Sequence, residues 1–359
     1  MAKRYYNLFD QIWHPLNLWV AYKKAACGKR SKPYVAAFEY DLEENLIDLE
    51  EELRTQTYTP GGYHNFYIQK PKRRLISAAP FRDRVVHHAL MQVIEPLFER
   101  QFIHDSYANR VGKGTHRALD RCTYFLRRYR YVMHLDVRQF FPSIDHEILK
   151  DILSRTIGDE AVLELIAKII SSGDGVQAEV YEPVYFPGDD LFSLIRQRGL
   201  PIGNLTSQHW ANVYLNEFDQ HAKRVLKCRA YLRFVDDILL FGDDKSMLSE
   251  WRTAIIEFLQ DLRLTIHETK AQPRPVHIGV PFLGFQIFPD HRRLKRRNGI
   301  AFRRRLRVIA NQSRICQIEH DQMQASIQGW LNHASYGDTW GLRRAVLHSV
   351  GLDGNELDG

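Results

Sequence analysis

Residues 230–241 read AYLRFVDDILLF. Aromatic and β-branched side chains on both sides of Asp236 and Asp237 give this stretch the composition of a strand run. Two adjacent carboxylates among apolar neighbours are penalised by desolvation and mutual repulsion unless a tight turn exposes them or a cation neutralises them. A hairpin with a metal at its tip meets both conditions, while an isolated pair of this kind also fits a bare turn or an incidental Ca2+ site. Residues 131–137, YVMHLDV, form a second such run, and Asp136 stands at its end between Leu135 and Val137. If the two strand ends lie side by side, Asp136 and Asp236 can clamp two divalent cations ~3.5–4 Å apart, the arrangement that drives in-line attack on a phosphate.

Around these runs the pattern is helical. Leu42, Leu46, Leu49 and Leu53 recur at helical spacing, with Glu43, Glu44, Glu50 and Glu51 on the polar side. Residues 81–98 and 115–128 read as two further helices, the first with Pro96 near its end. Residues 202–206, IGNLT, lead into a helical pattern containing Ala211, Tyr214, Leu215 and Phe218, for which Asn204 and Thr206 are both candidate caps.

Composition narrows the class. With 359 residues, 44% of them hydrophobic, the chain has enough apolar material for more than one domain, which excludes a disordered tail or a stapled miniprotein. Cys27, Cys122, Cys228 and Cys316 form no CxxC pair, so neither a disulfide framework nor a zinc knuckle is written here. The opening MAKRYYNLFDQIW lacks an apolar core, and no window approaches the ~18 apolar residues of a membrane span. The expectation is a soluble, cytoplasmic protein with no membrane partner. Charge is the uneven feature: between His291 and Cys316 lie ten basic residues and no acidic one, against a net charge of +7 for the whole chain. Ten uncompensated charges repel one another, and a bound polyanion explains them better than a solvated helix face.

Three segments, in order, carry a family pattern: LDVRQFF at 135–141, PIGNLTSQ at 201–208 and FVDD at 234–237. Together they resemble the palm motifs of reverse transcriptases, in which an Asp ends a palm strand with an aromatic five positions on, a small-residue helix start follows, and a hairpin carries xxDD. The resemblance implies an α+β right-hand polymerase: an N-terminal extension and fingers over 1–130, a palm of antiparallel sheet plus helices over 131–289 with fingers insertions at about 147–200, and a helical thumb over 290–359. Asp136, Asp236 and Asp237 would be catalytic, and with Val137 they would hold two Mg2+ ions, or Mn2+. Phe141 would be the steric gate that selects dNTP over NTP, while Phe140 fits a place in the palm core. Ile202, Gly203 and Gln208 would line the nucleotide site. KPKRRLI at 70–76 resembles the fingers strand that holds the triphosphate, through Arg73 first and Arg74 beside it. DSYANRVGKGTH at 105–116 resembles another fingers segment; as a P-loop it fails, because Lys113 is followed by glycine. HETK at 267–270 and PFLGF at 281–285 resemble the closing palm motifs, with Lys270 at the position of a proton donor to pyrophosphate (a solvated surface lysine being the other reading) and Phe282, Leu283 and Gly284 as primer grip. The basic thumb segment, Arg292, Arg293, Lys295, Arg296, Arg297, Arg303, Arg304, Arg305, Arg307 and Arg314, would grip an RNA–DNA hybrid.

Within that family the central motif reads IGNLTSQ, with Ile202 where most members carry Gln and Gln208 where they carry Pro. This departure, the GKGTH segment and the opening AKRYYNLFDQI resemble the reverse transcriptases of diversity-generating retroelements, bacterial or phage-encoded. The resemblance implies copying of a template-repeat RNA into cDNA randomised at template adenines, with a pentameric accessory variability protein as partner. The tail after the thumb is too short for a ribonuclease H, integrase, maturase or endonuclease domain, each on the order of 100 residues, so template removal and nicking are expected from elsewhere. A retron or phage-defence reverse transcriptase is the enzymatic alternative, and a non-catalytic RNA-binding scaffold is the alternative of another class.

Overall fold

The computed structural model of the chain describes residues 3–69, 73–315 and 319–351. Four helices come first: α1 (Phe9–Trp13), α2 (Pro15–Ala26), α3 (Pro33–Tyr40) and α4 (Leu42–Arg54). Pro15 and Pro33 open their helices, where a missing N–H leaves no intrahelical bond unmade. As its leucine spacing predicts, α4 turns Leu49 and Leu53 inward and leaves Glu43, Glu44 and Glu51 in solvent. An antiparallel ribbon of β1 (His64–Ile68) and β2 (Arg74–Ala78) follows, then α5 (Phe81–Glu99) and α6 (Thr115–Leu126). Next are β3 (Tyr131–Asp136), α7 (Phe140–Ser143), α8 (His146–Ser154) and α9 (Glu160–Ser171). A long connection with two short 3-10 turns leads into α10 (Leu205–Arg224), the strands β4 (Tyr231–Phe234) and β5 (Asp237–Gly242), and α11 (Lys245–Asp261). The chain ends through β6 (Arg274–Pro275), β7 (Val280–Phe282), β8 (Phe285–Ile287), β9 (Arg292–Leu294), α12 (Arg296–Arg314), α13 (His320–Ala334) and α14 (Trp340–His348).

The central sheet is antiparallel in the order β4-β5-β3-β6, and alternation along its strands divides two cores. Met133, Leu135, Tyr231, Ile238 and Leu240 face a core shared with α5, α8, α10 and α11. Val132, Leu232, Leu239 and Phe241 face a second core closed by α6 and the small β7-β8-β9 sheet. A third core joins α12, α13 and α14, where the Phe302 and Trp330 rings stack at 4.4 Å with planes 1° apart. One element departs from expectation: Arg292, at the head of the basic segment, lies in strand β9, paired to β8, and the helix starts only at Arg296. Among the described residues no helix is long and apolar enough to cross a membrane.

Candidate active site

The β4–β5 pairing closes on Phe234 opposite Asp237, which leaves Val235 and Asp236 as a two-residue hairpin turn. Val235 has φ +55, the sign found at the first central position of a II′ turn, where glycine is the usual occupant. In the neighbouring pair Asp136 stands directly opposite Asp237, so these two side chains share one face of the sheet. Asp136, Asp236 and Asp237 are thus brought to one end of the central sheet by strand register alone.

Basic side chains close around them. His134 Nε2 stands 2.8 Å from Asp237 Oδ1, and Lys270 Nζ and His267 Nε2 stand 3.8 and 3.9 Å from Asp136 Oδ2. The two histidines were missed by sequence reasoning, although the i, i+2 spacing of His134 and Asp136 on a strand already puts them on one face. Burial, then the charges of Asp237 and Asp136, push the Asp236 carboxyl up to about 6, with Arg74 acting in the opposite direction. A divalent cation relieves this crowding, and an all-carboxylate donor set suits a hard ion such as Mg2+. Among the described residues no three His, Cys, Asp or Glu side chains close a cage by themselves.

The wall beside the carboxylates joins the β1–β2 ribbon to the start of α10. Asn204 occupies the N-cap position, yet its side chain makes no capping bond, and Thr206 is buried inside the helix. Instead Asn204 Oδ1 accepts from the Ala79 N–H (3.1 Å), its Nδ2 donates to the Ser77 carbonyl (2.9 Å), and the Ser77 N–H donates to the Ile202 carbonyl (2.9 Å). The amide substitutes for a strand neighbour, which no local sequence signal encodes. Gly203 has φ +118, and a Cβ there would meet Ile76 Cγ2 at 2.9 Å. Asn204→Ala leaves a buried donor and acceptor unmatched, so denaturant unfolding should show a loss of about 1–3 kcal/mol.

Other candidates are placed unevenly. Phe140 is buried in the core and Phe141 is only half-buried, its ring edge-on to Phe140 at 5.6 Å. Arg73 stacks over the Tyr67 ring at 4.0 Å, whereas Arg74 is the residue whose charge reaches Asp236. Lys70 and Lys72 lie outside the described residues. Ile202 and Gln208 are half-buried at the start of α10. Val137 is buried and bridges Ile266, while Gln139, with φ +44, fastens the long connection between α9 and α10 through bonds to the Val180 carbonyl (2.7 Å) and the Glu182 N–H (3.1 Å).

A protein-family model described as reverse transcriptase (RNA-dependent DNA polymerase) matches residues 68–287, more than half of the chain, and spans all three carboxylates. The chain belongs to the reverse transcriptase family. Among its relatives, protein YkfC of Escherichia coli strain K12 is 26% identical over 238 residues, covering 62% of this chain and 59% of that protein. The group II intron-encoded protein LtrA of Lactococcus lactis subsp. cremoris is 26% identical over 181 residues, covering 50% of this chain and 28% of LtrA. The chain therefore spans less than two thirds of each of these relatives. The apo telomerase of Candida tropicalis superposes with a TM-score of 0.46 at 11% identity, over 81% of this chain and 57% of that one.

In this reverse transcriptase the basic segment is divided. Arg303, Arg304, Arg305 and Arg307 are exposed on α12, as are Arg296 and Arg297 at its start, while Phe302 and Leu306 face inward. Arg293 is exposed on β9 and Lys295 is half-buried. Arg292 differs, because its guanidinium donates to Thr123 Oγ1 (2.9 Å) and Asp120 Oδ1 (2.8 Å) and so ties β9 to α6. Leu283 and Gly284, both with positive φ, form the turn between β7 and β8, and the Gly284 carbonyl accepts from the Lys295 N–H (3.0 Å). Phe282 is 1% exposed and belongs to the second core, on which Leu283 packs half-buried, while Pro281 is exposed.

Proposed function

We propose that the chain is an RNA-directed DNA polymerase that copies a template-repeat RNA into adenine-mutagenised cDNA for mutagenic retrohoming. The observation that carries the polymerase reading is the register that sets Asp136 opposite Asp237, with Asp236 on the adjoining turn. Asp136, Asp236 and Asp237, with the Val137 backbone, hold the ions. Two Mg2+ ions, or Mn2+, held there would supply the acidity that deprotonates the primer 3′-hydroxyl and the charge that stabilises the leaving pyrophosphate. The 3′-hydroxyl gives its proton to solvent water, its oxygen bonds to the α-phosphorus, the bond to pyrophosphate breaks, and Lys270 Nζ, on the Asp136 side of the cluster, supplies a proton to the leaving group. Arg73 and Arg74 hold the triphosphate, Phe141 packs against the sugar, and the α12 arginines grip the hybrid backbone.

The finer reading rests on the IGNLTSQ motif. Ile202 offers β-branched bulk and no hydrogen bond to the incoming nucleotide, so mispaired geometries are rejected less strongly than a Gln would reject them. The test is primer extension on an adenine-containing RNA with Mg2+ and dNTPs, comparing the native chain with Asp236→Ala and Ile202→Gln and sequencing the cDNA. Extension that Asp236→Ala abolishes, with errors opposite adenine that Ile202→Gln reduces, supports the reading. Faithful extension moves it to a retron or defence enzyme. No extension, even with the pentameric accessory protein and cognate RNA added, leaves an RNA-binding scaffold.

A further inference from the structure

Arg233 has no solvent exposure at all, an unusual place for a guanidinium. Alternation along β4 turns it to the face opposite Asp237, against α10. Its Nε and Nη2 donate to Asp219 Oδ1 (2.8 Å) and Oδ2 (2.6 Å), and Nη1 donates to Asn212 Oδ1 (3.0 Å) and to the Val235 carbonyl (3.2 Å). Tyr231 Oη adds a bond to Asp219 Oδ1 at 2.5 Å. The backbone is fixed as well, since the Arg233 N–H donates to the Asp105 carbonyl and its own carbonyl accepts from the Tyr107 N–H. Asn212 and Asp219, seven residues apart, lie on one face of α10, the helix that begins at the IGNLTSQ motif.

The carbonyl that Arg233 holds belongs to the strained residue. At φ +55 a β-branched side chain is a genuine outlier, and such a conformation persists only where the surroundings impose it. We propose that the buried Arg233–Asp219 pair is a clamp that keeps the Val235–Asp236 turn in its strained form, so that Arg233 is a positioning residue that sets where the Asp236 carboxylate points. This rests on the polymerase reading. It explains why an ion pair stands where an apolar pair would fill the space: only the planar fork satisfies Asp219 with two donors and still reaches Asn212 and Val235. The clamp also makes α10 the common support of the nucleotide wall and the carboxylate turn.

The test removes the clamp without leaving a lone buried charge. Arg233→Met with Asp219→Leu replaces the pair by apolar groups, a change that folds tolerate when both partners go together. Arg233→Lys, which keeps the charge and loses the fork, is the second variant should the first fail to fold. Four quantities are read: Mn2+ affinity without nucleic acid, kcat and KM for single-nucleotide incorporation, and the melting temperature. The expected result is Mn2+ binding about ten-fold weaker and kcat about 100-fold lower, with KM within about three-fold. Adding Val235→Gly, which adopts a positive φ without strain, should recover at least about ten-fold of the lost kcat and most of the Mn2+ affinity. Native kcat and Mn2+ affinity in the unclamped variant overturn the proposal, as does a loss that Val235→Gly leaves unrepaired. If the native chain fails to extend a primer even with the accessory protein and cognate RNA added, the polymerase reading falls, and the Mn2+ affinities alone still decide the clamp.

Discussion

Asp236→Asn should lower nucleotide incorporation on the order of 10³-fold, about 4 kcal/mol of transition-state stabilisation, and should stabilise the free protein at neutral pH. Both effects have one cause. The folded chain pushes the Asp236 carboxyl from the ordinary 3.8 up to about 6, by burial first and then by the charges of Asp237 and Asp136. Between those values the folded state holds a proton that the unfolded state has released, so stability falls as pH rises through the window. The penalty is complete above about pH 6 and absent below about pH 4, where both states are protonated. At pH 7, in chelator, Asp236→Asn should therefore gain about 1–2 kcal/mol for a carboxyl in a partly open cleft, and the gain should vanish at pH 4. Thermal melts of both proteins across pH 4–8, beside single-turnover assays, check the two halves together. A variant that loses activity with no pH-dependent gain would refute the crowding of carboxylates.

Phe141→Val should open the site to ribonucleotides, with discrimination between dNTP and NTP falling about 10–100-fold, the range that one removed steric contact commands. Phe140 is buried and holds the core, so the adjacent ring is the one left half-exposed. Phe141 is fixed through its backbone, because its carbonyl accepts from the Leu200 N–H at 2.9 Å, immediately before the 201–208 motif. Incorporation of dNTP should keep its kcat within a few-fold, which separates a gate from a residue needed for folding. Unchanged discrimination in single-nucleotide assays would remove Phe141 from this role.

The charge of the described α12 surface bears on the remaining readings. Arg296, Arg297, Arg303, Arg304, Arg305 and Arg307 stay exposed, so binding of an RNA–DNA hybrid should weaken steeply with salt, while Arg292, held by Asp120 and Thr123, should contribute to stability instead.

What the sequence determined by itself is local. The leucine spacing of α4, the helices from Phe81 and Thr115 and the strand ending at Asp136 follow from local periodicity and composition, and the hairpin bearing Asp236 and Asp237 from the cost of burying paired carboxylates, against the turn chemistry of Val235. The three palm motifs pointed to the family that the match over residues 68–287 shows. Tertiary structure decided the rest, since the partners are far apart along the chain. Asn204 reads as a cap but bonds to Ser77, 127 residues away, and Arg292 reads as a phosphate ligand but bonds to Asp120, 172 residues away. His134 reaches Asp237 across 103 residues, and Arg233 looks like an ordinary strand residue until α10 brings Asp219 beneath it. A hydrogen bond between distant segments leaves no period in the sequence, so the elements could be read from the chain while the contacts that hold the carboxylates in place could not.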